Sequence, residues 1–249
     1  MFLLYRYRRA SKHSLDALEN NCINGSLFRV FKDGTELNLS ISKTFMEKRG
    51  FMESRKESLI KSFIENIRDN YYLACFTKAS PFKSPEMWSK FADNGNGYCL
   101  VYDTDDILAA LINKRLSVNC LRSVVYSKKP FCLDDMIDCF LFNDDVLNEA
   151  KSGNIDGAAE KVPEIIKKQT MEIFFHKVNK CKDEKEYRLI FQRVNGTPKA
   201  NPEYDPSLLI VKPKAIIISK KLNILVQGRL ISYAQKQGIE YRMIEVPKE

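Results

Sequence analysis

Along this chain the apolar positions change period every ten residues or so, and each change marks a predicted element. Residues 2–8 alternate and carry three aromatics, which predicts a first strand. Leu15, Leu18 and Cys22 recur at helical spacing, so residues 12–22 are expected to form a short helix. Ser26 to Phe31 reads as a second strand, closed by the turn Lys32-Asp33-Gly34. From Ser42 to about Asn70 the pattern is helical, with Leu59, Ile60, Phe63, Ile64 and Ile67 on one face and Gly50 as a break.

Tyr71 to Thr77 is an apolar strand, followed by a loop with Pro81 and Pro85 and a helical turn through Met87, Trp88, Phe91 and Ala92. Trp88, the single tryptophan, is expected to anchor the core. Asp93-Asn-Gly-Asn-Gly97 signals a turn, because glycine tolerates positive φ. A strand over Tyr98–Tyr102, a helix from Asp103 to Asn113 and a strand over Leu121–Tyr126 come next. Helices are expected over 133–149 and 163–180, the latter containing His176, with a polar loop over 152–157 between them. The tract from Glu184 to Phe191 is a strand, and Asn195 to Pro206 a loop. The end predicts a strand over Ala215–Ser219, a helix over Asn223–Gln237 stopped by Gly238, and a strand over Ile239–Val246. Helices and strands mix without regular βα alternation. The expected class is therefore α+β, a single compact domain over residues 1–249 with a mixed, mostly antiparallel sheet flanked by helices.

Composition narrows the functional classes. The length of 249 residues is enough to bury a sizeable core, and no apolar run reaches the roughly 20 residues that span a bilayer. The opening Met1-Phe-Leu-Leu-Tyr-Arg-Tyr-Arg-Arg9 has its charges after a very short apolar run, the reverse of a secretory signal, so a cytoplasmic location is expected. Seven cysteines stand singly and only two histidines, His13 and His176, are present, which argues against a zinc site or a disulfide framework. No metal is expected. The net charge of +8 is concentrated in residues 167–249, whereas residues 71–166 are net acidic. Such a surface favours anionic partners: a nucleotide, a nucleic acid or an acidic protein. No phosphate-cradling glycine loop of the P-loop or dinucleotide-binding type occurs.

The chemistry-bearing tract is Lys182-Asp-Glu-Lys-Glu-Tyr-Arg-Leu-Ile-Phe191. On an extended strand Glu184, Glu186 and Arg188 share a face, while Tyr187, Leu189 and Phe191 take the other, core-facing side. Two carboxylates side by side repel unless a cation or a substrate lies between them, so Glu184 and Glu186 are the first catalytic candidates.

Three blocks together resemble a widespread bacterial domain family of unknown function. They are Leu4-Tyr5-Arg6-Tyr7-Arg8; Cys75-Phe76-Thr77 with Met87-Trp88, Phe91-Ala92 and Gly97; and Glu184-Lys-Glu-Tyr-Arg188. The region Phe31-Lys-Asp-Gly-Thr-Glu-Leu-Asn38 departs from the Asn-Asp-Pro-Phe-type motif that such proteins carry after the second strand. The order of the blocks also resembles the ADP-ribosyltransferase superfamily. There an Arg or His lies on the first strand, a Ser, Thr or Tyr on a middle strand, and a Glu, often in a Glu-x-Glu pair, at the start of a later strand.

That second resemblance implies NAD as substrate, with roles for particular residues. Glu186 would hold the ribose and stabilise its developing positive charge, and Glu184 would position or deprotonate the acceptor. Arg6 or Arg8 would pair with the pyrophosphate, Thr77 would fix a ribose or shore up the carboxylate, and Tyr5 or Tyr7 would stack on nicotinamide. The acceptor would be a protein or a nucleic acid, and the biological setting a bacterial toxin or an effector against phage. Two readings from other classes stay open: a non-enzymatic module binding nucleic acid or protein through its basic face, and a metal-dependent nuclease enlisting Asp103, Asp105 and Asp106. The last three fit better as charges at a helix N-terminus.

Overall fold

β1 (Leu3–Arg9) is the strand that the alternation predicts, and α1 (Lys12–Glu19) follows it, started by a capping box between Ser11 and Ser14. The helix stops short of Cys22 because Asn21 takes φ 53° and turns the chain into β2 (Cys22–Leu27), earlier than the strand expected over 26–31. The computed structural model describes residues 2–28, 39–50, 71–136, 172–192 and 204–248, with isolated positions between 52 and 64. The departed motif over 31–38, the loop over 152–157 and parts of the helices expected over 42–70, 133–149 and 163–180 lie outside the described residues.

The remaining elements follow in order. β3 (Leu39–Ser40) and α2 (Lys43–Lys48) precede β4 (Tyr71–Thr77), α3 (Pro85–Phe91), β5 (Gly97–Asp103) and α4 (Thr104–Asn113). The strand expected over 121–126 breaks at Val124 into β6 (Leu121–Ser123) and β7 (Val125–Ser127). After β8 (Phe131–Cys132), His176 proves to stand in a strand and not in a helix: β9 (His176–Val178) pairs with β7. β10 (Glu186–Gln192), β11 (Tyr204–Ile210), β12 (Ala215–Ser219), α5 (Ile224–Gln237) and β13 (Glu240–Ile244) complete the chain. β11 begins inside the stretch expected as loop; it is an edge strand with a register shift between Asp205 and Leu209, which accommodates Pro206.

The described residues form two compact units. One, from residues 1–30, 71–123 and 182–249, holds a nine-stranded sheet in the order β11-β2-β4-β1-β5-β12-β13, with β10 branching from β4 and β6 pairing in turn with β10. Its pairs are antiparallel except β12 with β13, which α5 connects as a parallel pair requires. The α+β class with a mixed, mostly antiparallel sheet is therefore the observed one. The other unit, from residues 31–70 and 124–181, contains α2 and the short parallel pairs β3–β8 and β7–β9. Among the described residues no helix is long and apolar enough to cross a membrane.

Both faces of the large sheet are covered. On one, α1, α4 and α5 pack Leu15, Leu18, Ile107, Leu111, Leu230 and Ala234 onto Leu4, Phe76, Tyr98, Leu100, Tyr102 and Leu189. On the other, α3 sets Met87 and Trp88 against Tyr7, Cys99, Val101 and Ile217. Trp88 is fully buried, as expected of a core anchor, and its Nε1 donates to the Pro81 carbonyl at 2.8 Å. The turn after α3 uses positive φ at Asp93, Asn94 and Gly95. Gly97 serves a different need: a Cβ there would overlap the Arg8 carbonyl oxygen and approach Ala92 Cβ to 2.9 Å. Asp103 caps α4 by accepting from the Asp105 N–H at 3.0 Å, so the acids there are helix-terminal charges.

Candidate functional site

Register brings three of the sequence-predicted residues into one line. Glu186 on β10 lies opposite Thr77 on β4, Thr77 opposite Tyr5 on β1, and Tyr5 opposite Val101 on β5. Side chains directly opposite share a face, so Glu186, Thr77 and Tyr5 form a row on the side that α3 covers. Tyr7 belongs to the same face; its hydroxyl donates to the Ala79 carbonyl at 3.1 Å, and its ring meets Trp88 edge-on at 5.2 Å. These contacts pin the segment after β4 and the helix α3 beside the row. Burial pushes the phenols of Tyr5 and Tyr7 up, with Cys99 as a further contributor.

Glu184 reaches the site differently from the way alternation predicts. It ends a 3-10 segment, Asn179–Glu184, and Lys185 takes φ 45° before β10 begins, so Glu184 does not sit two places back on a continuous strand. β4 grips this kink. The Thr77 hydroxyl donates to the Glu184 carbonyl and accepts from the Ala79 N–H at 2.8 Å, while the Lys78 N–H donates to the Lys185 carbonyl at 3.1 Å. The Glu184 carboxylate, largely buried, accepts from Lys90 Nζ of α3 at 3.3 Å, and Lys90 is about half exposed.

The two carboxylates thus each have a cation. Glu186 is held by Arg188 two residues along the strand, through Nε to Oε1 at 2.8 Å and Nη2 to Oε2 at 3.1 Å. Both partners are buried, Arg188 to 1% exposure, which makes this a desolvated bidentate clamp and not a solvated charged edge. The i,i+2 spacing of Glu186 and Arg188 was the sequence signal for this pair; Lys90 left no such signal. Expecting Arg188 and Tyr187 on opposite faces was right, but the Glu/Arg face is as buried as the apolar one.

Arg6 and Arg8 are not brought to this row. They alternate with Tyr5 and Tyr7 and therefore lie on the face covered by α1, α4 and α5. Arg6 Nη2 donates to the Asn24 carbonyl at 2.5 Å, and its guanidinium carbon lies 5.5 Å from the Phe76 ring centroid. A cleft combining Glu186 with either arginine is thus ruled out by the parity of β1.

Residues 87–189 match a family model described as a protein of unknown function, DUF2971. The match bears out, over that span, the resemblance to a domain family of unknown function. It takes in α3 from Met87 on, β5 and the start of β10, and so Trp88, Lys90, Gly97, Glu184, Glu186 and Arg188. No curated protein and no solved structure matches the chain.

Proposed function

We propose that the protein is an ADP-ribosyltransferase-like enzyme that transfers the ADP-ribose group of NAD, with the Glu186–Thr77–Tyr5 row as the nicotinamide-ribose site. The single observation that carries this reading is the register, which lines a buried carboxylate, a hydroxyl and a phenol across three strands on one face. A buried carboxylate, which accepts from hydroxyls, beside an aromatic ring suits a ribose diol next to an aromatic leaving group. NAD supplies the activated glycosidic bond, whose cleavage leaves positive charge on the sugar and releases nicotinamide with the bonding electrons.

The chain's own residues divide the work. Glu186, fixed by Arg188, holds ribose hydroxyls and opposes the developing charge from a position that needs no reorganisation. Thr77 acts as a positioning residue, because its hydroxyl is committed to the backbone at Glu184 and Ala79. Tyr5 offers a half-buried ring for the nicotinamide. Glu184 takes the proton of the acceptor nucleophile as the new bond to the sugar forms. Lys90, half exposed beside Glu184, replaces Arg6 and Arg8 as the cation available to a phosphate on this side.

The test is nicotinamide release from NAD by the purified protein, beside Glu186→Gln, with NAD binding followed by calorimetry. Release by the wild type and its loss in Glu186→Gln, with binding retained, is the expected result. Undiminished release by Glu186→Gln removes Glu186 from the chemistry. Absence of both NAD binding and release favours the non-enzymatic reading, in which the basic surface docks a nucleic acid or an acidic protein.

A further inference from the structure

The parity of β1 leaves Arg6 and Arg8 outside the proposed NAD site, and their surroundings raise a separate question. Arg6 is almost fully buried, yet among the described residues its five N–H donors make one hydrogen bond, to the Asn24 carbonyl. Arg8, half-buried two residues along the same face, has no carboxylate partner among the described residues. Opposite Arg8 stands Tyr98, fully buried. Its hydroxyl lies close to Ser14 and Arg8 but meets hydrogen-bond geometry with neither, so it has no partner among the described residues.

Two like charges and an unsatisfied phenol on one buried patch are costly to fold around. The cost shows in Arg6, whose guanidinium is pushed down to about 9 by burial and then by Arg8. The neighbouring charges do not offset it. Helix α1 begins beside the patch with no acid in its first turn, and Lys12 and His13 there are exposed. The nearest acids on α1, Asp16 and Glu19, are engaged by Arg229 at 3.5 Å and 2.5 Å. An anion is the missing charge, and the guanidinium fork and the phenol are the donors that would receive it.

We infer that Arg6, Arg8 and Tyr98 form a binding site for a phosphate-bearing small anion, on the opposite face of the sheet from Glu186. One small ligand does not reach both places, because the strands β1, β4 and β5 lie between them. The site is therefore independent of the NAD reading and stands or falls separately.

Inorganic pyrophosphate is the probe, titrated calorimetrically against sodium chloride of matched ionic strength. The wild type is expected to bind it and to melt at a higher temperature in its presence. Arg8→Gln, at a half-exposed position that folding tolerates, is expected to weaken binding roughly tenfold or more, as loss of a charge-assisted contact does. Tyr98→Phe, which removes only the unsatisfied hydroxyl, weakens it less and keeps the fold. Arg242→Gln, on the exposed edge strand β13, leaves it unchanged. Absence of binding to the wild type, equal binding by Arg8→Gln, or weakening by Arg242→Gln to the same degree would each overturn the assignment.

Discussion

Replacing Thr77 by valine keeps the shape of a side chain that is 2% exposed and deletes its hydroxyl. The hydroxyl makes two buried hydrogen bonds, donating to the Glu184 carbonyl and accepting from the Ala79 N–H at 2.8 Å. Each of the two backbone groups that loses a buried partner costs roughly 1–3 kcal/mol, so Thr77→Val is expected to destabilise the protein by about 2–6 kcal/mol. For a chain of this size that is a fall in melting temperature of roughly 4–24 °C. Thr77→Ser is the control: it keeps the hydroxyl and loses one buried methyl, at about 1 kcal/mol. Trp88, the only tryptophan and part of the core cluster on the same face, gives the fluorescence readout in urea. The order of midpoints should be wild type, then serine, then valine. If Thr77→Val unfolds at or above the midpoint of Thr77→Ser, the hydroxyl does not hold the kink at Glu184, and the reasoning about how that residue is positioned fails.

Further outcomes follow from the same geometry. Gly97→Ala places a methyl group into the Arg8 carbonyl and against Ala92, so the variant should be largely insoluble or melt far below the wild type; normal expression and melting would contradict the close approach of β5 to β1. Arg188→Met removes the bidentate partner of a buried carboxylate and is expected to cost roughly 3–5 kcal/mol, while pairing it with Glu186→Leu should recover most of that; equal stability of the single and double variants in urea would refute the clamp. Alkaline pH should destabilise the protein. Burial raises the phenols of Tyr5, Tyr7, Tyr98 and Tyr102 above their ordinary 10.0 and that of Tyr233 to about 12. The folded state therefore keeps protons that the unfolded chain gives up, and stability present below pH 10 is lost as pH rises past it. Arg6, lowered from 12.5 to about 9, works in the reverse direction but is one group against five. Urea midpoints that stay level above pH 10 would contradict this balance.

Local structure was largely legible in the sequence wherever one short stretch contains its own instructions. Ser11 and Ser14 box the start of α1, Asn223 caps α5 by accepting from the Leu225 N–H at 2.9 Å, and Gly238 ends α5 with φ 63°. The alternation of β1 and of β10 told which residues share a face, and so paired Arg6 with Arg8 and Glu186 with Arg188. It did not foresee that Asn21 would end α1 early, nor that His176 would pair as a strand with Val125, because both depend on what the chain meets afterwards.

The composition of the site was decided in three dimensions. A period of two sorts each strand into two faces, but says nothing of which face of one strand adjoins which face of another. Register does that, and it is set by pairing between segments as far apart as Tyr5, Thr77 and Glu186. By itself the sequence supplied the row's members along with two arginines that belong elsewhere. Only the register across β10, β4 and β1 put Glu186, Thr77 and Tyr5 together and sent Arg6 and Arg8 through the sheet to the other side.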